Sequence, residues 1–124
     1  ETLATLATPG ALPALFHCNG GKDRTGLIAA LVLGLAGVPN ETIVEDYAIT
    51  GKYLLSRHIA SEAERGIDVS DMKWQEYRDL ACPPKVMEGT LCHIEQRYGS
   101  VEQYAIAVGL SGGQIASIRE AIVE

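Results

Sequence analysis

Ala14-Leu15-Phe16-His17-Cys18-Asn19-Gly20-Gly21-Lys22-Asp23-Arg24-Thr25-Gly26 is the stretch on which the reading of this chain turns. The short apolar run Ala14-Leu15-Phe16, bounded by Pro13, predicts a buried strand at about 12–17. A glycine-bearing loop follows, and the apolar run from Leu27 to Val38 predicts a buried helix at about 24–36 that ends at Gly37. Strand, tight loop, helix is where an α/β protein holds an anion, because the helix N-terminus offers free N–H groups and the positive end of a dipole.

The residues of the loop suit a phosphate dianion held against a thiolate. Residues 19–24 can wrap their backbone N–H groups around one point, and Gly20 and Gly21 permit the positive φ angles of such a curl. Arg24, six residues after Cys18, is placed to fork onto two phosphate oxygens, a planar contact that lysine does not reproduce. Cys18, Asn19, Gly20, Gly21, Lys22, Asp23 and Arg24 are therefore the expected phosphate-binding set. A free thiol has a pKa of about 8.5, and helix N-termini and nearby cations lower it to about 3.5–7.5. Cys18 is accordingly expected to be a thiolate at neutral pH and a nucleophile aimed at phosphorus. Thr25 is expected to donate its hydroxyl to the sulfur and help it leave. His17 is expected to fix the loop through its ring N–H rather than act as a base. Asp23 is a candidate proton donor to the departing alcohol, the alternative being a carboxylate that only suits the start of a helix. A Cys and an Arg at this spacing alone would carry little, since cysteine is often a small buried hydrophobe. His17, the two glycines, Arg24-Thr25-Gly26 and the flanking elements add the weight.

His-Cys-x5-Arg-Thr-Gly resembles the signature loop of the cysteine-dependent protein tyrosine phosphatase superfamily. In the form His17-Cys18-x-x-Gly21-Lys22-Asp23-Arg24-Thr25-Gly26 it is similar to one branch of bacterial tyrosine phosphatases that also act on phosphoserine, phosphothreonine and phosphoinositides. Gly37-Val38-Pro39, Glu45-Asp46-Tyr47 and Arg97-Tyr98-Gly99-Ser100 resemble the same branch, so the likeness covers nearly the whole chain. The resemblance implies Cys18 as nucleophile and Arg24 as phosphate clamp. It ties Lys22 and Asp23 to substrate preference and to acid catalysis from inside the loop. An acidic residue in the loop is also seen in myotubularin-type lipid phosphatases.

The 124 residues make one domain or part of one. Hydrophobic residues at 47% and charged residues at 21% are ordinary globular values. A net charge of −6 argues against nucleic acid as a partner, and no cluster of Lys and Arg supports a membrane surface. The Leu27–Val38 run is too short to span a bilayer and is interrupted by Gly34 and Gly37. Cys18, Cys82 and Cys92 form no framework of pairs, and with His17, His58 and His93 they lack zinc spacing. No cofactor and no metal are expected, and Cys82 and Cys92 read as structural thiols. No signal peptide is visible, but the chain starts at Glu1, which leaves localisation open between the cytoplasm and secretion as a bacterial effector.

Further along, Pro9-Gly10 closes the tail of a first helix. Pro39-Asn40 starts a long helix to about Glu64, with Ile43, Val44, Tyr47 and Ala48 on one face and a bend near Gly51. Ser70 reads as the N-cap of a short helix from Asp71 to Leu80, and Pro83-Pro84 starts another that runs to Tyr98. Ser100-x-x-Gln103 and Ser111-x-x-Gln114 are capping boxes for helices at about 101–108 and 112–123. The expectation is a single α/β domain over 1–124 with one central strand and about six helices. A lone strand cannot satisfy its own backbone, and related phosphatase domains carry a mixed sheet drawn mostly from residues ahead of the signature loop. Only seventeen residues precede Cys18. The chain is therefore expected to be the C-terminal part of such a domain, with a second chain or a homodimer mate as candidates to complete the sheet. The acid loop that many tyrosine phosphatases carry upstream is then outside the chain, which shifts weight to Asp23.

Lys52, Arg57 and His58 could meet a phosphoinositide headgroup or a phosphopeptide backbone, against the simpler reading of a solvated helix face. Trp74 and Tyr77 could close over the pocket or anchor a short helix by packing. Glu62, Glu64, Asp68 and Asp71 read as a solvated stretch, since calcium sites need tighter alternation of oxygen ligands. The expected function is hydrolysis of phosphate monoesters through a cysteinyl-phosphate. Substrates would be phosphotyrosine proteins, with phosphoserine, phosphothreonine or phosphoinositides beside them. The alternative is a non-catalytic phospho-ligand module or a subunit of a split phosphatase. A rhodanese-like or arsenate-reducing thiol enzyme is a distant third, because Cys82 and Cys92 give no sign of a thiol relay.

Overall fold

The computed structural model describes residues 1–123, which form eight helices. They are α1 (Thr2–Leu6), α2 (Asp23–Leu35), α3 (Asn40–Ala48), α4 (Thr50–Glu64), α5 (Trp74–Ala81), α6 (Pro84–Tyr98), α7 (Val101–Ala107) and α8 (Gly112–Ile122). Local chemistry sets most of the boundaries. At α7 the Ser100 hydroxyl accepts from Gln103 N at 3.1 Å. At α8 the Ser111 hydroxyl accepts from Gln114 N at 3.2 Å, and Gln114 Oε1 accepts from Ser111 N at 2.9 Å, a reciprocal capping box. Helix α6 starts on Pro84 and stops at Gly99, whose φ of +92° suits only glycine.

The α/β expectation is overturned. Among the described residues there is no strand, and the architecture is all-helical with eight helices rather than about six. A strand exists only where its N–H and C=O groups meet those of a neighbour. Here no backbone–backbone hydrogen bond involves residues 12–21, and Leu15, expected to be buried, is 93% exposed. Leu12, Ala14 and Phe16 instead lie along an apolar groove with Leu6, Val32 and Ile118. An apolar triplet signals a wish for burial but not a partner to provide it.

Two smaller departures concern helix ends. The long helix expected from Asn40 to about Glu64 is broken at Ile49 into α3 and α4. Gly51 serves contact rather than bending: a Cβ there would lie 2.8 Å from Arg78 Cα, so α4 presses directly on the backbone of α5. Ser70 does not cap α5. Its N–H donates to Asp68 Oδ1 at 3.0 Å, while Glu76 Oε2 accepts from Lys73 N at 2.6 Å to close the helix start three residues later.

Helix α2 is the axis of the molecule, apolar around most of its circumference because it is covered on two sides. Leu31 and Leu35 join Leu3, Ile94, Ala105, Ile115 and Ile118 in one cluster. Ala30 joins Ile43, Val44, Tyr47, Cys82, Met87 and Leu91 in the other. At its far end the Leu35 carbonyl accepts from Arg119 Nε at 2.8 Å, a cap supplied by α8. The N-terminus of α2 is thereby held in place for the site.

Candidate active site

Cys18 lies over the first turn of α2. Lys22 is the N-cap of that helix and its side chain makes no capping hydrogen bond, so first-turn N–H groups are left for an outside acceptor. The Cys18 thiol lies close enough to be acted on by them. Its pKa is lowered to about 6, foremost by the Thr25 hydroxyl and then by the Thr25 N–H; desolvation opposes them and outweighs either of the lesser contributions, from the N–H groups of Lys22 and Gly21. The Thr25 hydroxyl oxygen is buried and stands near the thiol but short of hydrogen-bond geometry with it, which leaves it without a partner among the described residues. A pKa of about 6 favours the thiolate at pH 7.

The curl that brings Gly21 N–H to the sulfur runs through Gly21 at φ +63°. Gly20 does not adopt a positive φ, so the expectation that both glycines do is corrected at that position. Arg24 follows on the same helical turn, exposed and outside every ion pair among the described residues. His17 is exposed, with Nδ1 a long 3.4 Å from the Cys18 carbonyl oxygen.

Asp23 is held from two sides. Its Oδ1 accepts from Lys22 Nζ at 2.5 Å and from the Tyr47 hydroxyl at 3.2 Å. The Lys22 contact, aided by Tyr47, keeps the carboxyl below the usual carboxylate range, so it is ionised at neutral pH. Tyr47 is pushed up to about 12, first by burial and then by the Asp23 charge, and stays a donor. Gly26 makes this possible. A Cβ at that position would lie 2.8 Å from Tyr47 Cδ2, so only a glycine lets the ring close on α2 and carry its hydroxyl to Asp23. Sequence reading placed Tyr47 on an apolar helix face and missed this second role. Its signal was a phenol on that face, which must find a partner when buried.

A groove of about 280 Å³ opens beside the loop, lined by Asn19, Gly20 and Lys22, by Leu54, Arg57, His58 and Ser61 of α4, and by Tyr77 of α5. Arg57 and His58 thus face the loop, where the simpler sequence reading had a solvated face; Lys52 does not line the groove. The signal was available: positions 54, 57, 58 and 61 share one helical face. Tyr77 stacks on His58 with centroids 4.5 Å apart. Trp74 turns to a separate groove of about 570 Å³ with Arg78, so the two aromatics do not form a joint lid. Cys82 is buried with Sγ 3.7 Å from the Ala48 carbonyl, and Cys92 is exposed on α6. No three His, Cys, Asp or Glu side chains converge as a metal-binding set among the described residues. No helix among them is long and apolar enough to cross a membrane.

Comparison with known proteins adds to this geometry. A sequence model of the tyrosine phosphatase family matches residues 1–124. The chain is 37% identical over 114 residues to a tyrosine-protein phosphatase of Nostoc commune, covering 85% of this chain and 37% of that protein. It is 29% identical over 126 aligned residues to the triple specificity protein phosphatase PtpB of Mycobacterium tuberculosis, covering 86% of this chain and 42% of that one. The chain thus spans 37% and 42% of the lengths of these two relatives. No solved structure gives a significant match.

Proposed function

This chain belongs to the tyrosine phosphatase family, and from that premise we propose that it hydrolyses phosphate monoesters by way of a cysteinyl-phosphate. The Cys18 thiolate attacks phosphorus, the S–P bond forms as the P–O bond to the alcohol breaks, and water then cleaves the S–P bond to release inorganic phosphate. The loop N–H groups and the Arg24 fork stabilise the charge on the phosphoryl oxygens. Thr25 stabilises the sulfur when it departs. Asp23 donates the proton to the leaving alcohol. It is ionised in the free chain, and an arriving phosphate dianion raises its pKa by like-charge repulsion and lets it take up that proton. Phosphotyrosyl proteins are the proposed substrates, with phosphoserine, phosphothreonine or phosphoinositides beside them.

The observation that carries this reading is the loop at the start of α2, where Gly21 curls at φ +63° between Cys18 and Arg24. The Cys18 pKa is lowered to about 6 by groups of Thr25, Lys22 and Gly21, and Arg24 is exposed on the first helical turn and outside every ion pair among the described residues. Cys18→Ser is expected to abolish turnover of p-nitrophenyl phosphate, and substantial residual activity would end the proposal. For Asp23, the Asp23→Asn variant is expected to lose more on phosphotyrosine than on an activated aryl phosphate, whose leaving group hardly needs a proton. Equal losses on both would remove Asp23 from the proton-donor role.

The second reading is a phospho-ligand module or one subunit of a split phosphatase. It draws on the 93% exposure of Leu15 and the unpaired backbone of residues 12–21, which suit a covering partner such as a second chain or a homodimer mate. Binding of phosphotyrosine by calorimetry without turnover, together with a solution mass above that of one chain, would favour it.

A further inference from the structure

We propose that the groove between the loop and α4 is a second anion subsite, which takes an acidic side chain next to the phosphorylated residue of a peptide substrate. The proposal rests on the phosphatase reading and adds to it a site of selectivity. Its first support is the state of the arginines. Arg65 is tied to Glu62 at 2.7 Å, Arg78 to Asp79 at 2.7 Å and Arg119 to Glu102 at 3.0 Å, while Arg97 donates to the Tyr98 hydroxyl at 3.3 Å. Of the six arginines, only Arg24 and Arg57 make no side-chain hydrogen bond or ion pair among the described residues. Arg57, on α4, lines the groove beside the loop, whereas Arg24, on the first turn of α2, does not.

Charge complementarity points the same way. The chain carries 16 Asp and Glu against 10 Lys and Arg, yet no acidic residue lines this groove, whereas Lys22, Arg57 and His58 do. Lys22 is already engaged by Asp23, which leaves Arg57 as the fork and His58 beside it. The stack on Tyr77 holds the imidazole at the groove wall. At about 280 Å³ the groove is slightly smaller than pockets that enclose a whole small molecule, and it suits one side chain of a longer ligand. A peptide advances about 3.3 Å per residue, so residues flanking the phosphotyrosine are the ones within reach of a wall that begins at Asn19. A lipid surface is the poorer occupant, because a net charge of −6 is repelled by an anionic bilayer.

The test compares two phosphotyrosyl peptides, identical except for Glu or Gln on both sides of the phosphotyrosine. The expected result is a kcat/KM ratio of about twofold to fivefold in favour of Glu, the size of one exposed guanidinium–carboxylate contact. Arg57→Ala and Arg57→Gln should bring that ratio close to one and flatten its salt dependence, whereas Arg65→Ala should leave it in place. A ratio of one in the unaltered chain, or a ratio unchanged by both Arg57 variants, overturns the proposal. If neither peptide is turned over, the phosphatase reading fails by itself. Calorimetric affinities of the two peptides for the Cys18→Ser protein then still read the groove, and equal affinities overturn it. Vesicles containing phosphatidylinositol phosphates form the last arm. Hydrolysis there that depends on Arg57, with no peptide preference, reassigns the groove to a lipid headgroup.

Discussion

The two segments that meet at Cys18 are held in opposite ways. On one side, α2 is enclosed by two apolar clusters, capped at Leu35 by Arg119, and pinned near its N-terminus by the Tyr47 ring on Gly26. On the other, residues 12–17 approach the nucleophile with no backbone–backbone hydrogen bond. All the protein groups that lower the Cys18 pKa, those of Thr25, Lys22 and Gly21, come from the helix start and the curl leading into it. The electrostatics of the nucleophile thus depend on the helix start and the turn into it rather than on residues 12–17, so an irregular approach does not prevent a lowered thiol pKa.

The widest contrast in stability should fall between Leu35 and Leu15. Leu35 is 1% exposed inside the larger cluster and Leu15 is 93% exposed. Leu35→Ala is expected to cost about 2–5 kcal/mol in urea unfolding, the range for a buried leucine emptied to a cavity. Leu15→Ala should stay within about 0.5 kcal/mol. Amide exchange should follow, with residues 14–20 unprotected and Leu31 among the slowest. A large loss at Leu15 would show that the approach segment is buried in solution, and would break the comparison.

Next in size is Gly26→Ala. The new Cβ would meet Tyr47 Cδ2 at 2.8 Å, and the ring, buried between α2 and α6, has little room to move. A cost of about 1–3 kcal/mol is expected from overpacking. A neutral result would mean that Tyr47 is not seated on α2. Tyr47→Phe isolates the hydroxyl. It keeps the ring, removes one donor to Asp23, and should cost about 0.5–1.5 kcal/mol. Carbon-detected titration of Asp23 should then move upward, toward the ordinary carboxylate range. No movement would assign the whole depression to Lys22.

What was legible in the sequence follows the same division. Ser100, Ser111, Pro84 and Gly99 act within four residues of themselves, so the ends of α6, α7 and α8 could be read directly. The curl at Gly21 and the helix that begins at Asp23 were readable for a similar reason, since both are set by residues close together in sequence. Strand formation at residues 12–17 depended on a partner at long range, and apolar composition carries no information about whether one is present. Gly51 misled in the same manner: glycine permits a bend, but here it permits Arg78 to approach, and only packing decides between them. Tyr47 and the Arg57 face were visible as residues but not as neighbours of the loop. Both are brought there by α3 and α4, whose placement depends on tertiary contact.

The smallest effect bears most directly on the anchored side. Alkylation of Cys18 by iodoacetamide, followed by peptide-resolved mass spectrometry to separate it from Cys82 and Cys92, should rise with pH through a midpoint of about 6 and then level. The sign follows from stabilisation of the charged form. The thiolate's hydrogen bonds are present above that midpoint and are lost as pH falls through it, so the folded chain gives up their contribution toward acid. Thr25→Ala should move the midpoint upward, because its hydroxyl is the first cause of the lowering. The shift should stop short of the free-thiol value of about 8.5, since the N–H groups of Gly21, Lys22 and residue 25 remain. A midpoint near that free value in the unaltered chain would mean that the first turn of α2 does not reach the sulfur. An unmoved midpoint in the variant would instead transfer the whole effect to the backbone.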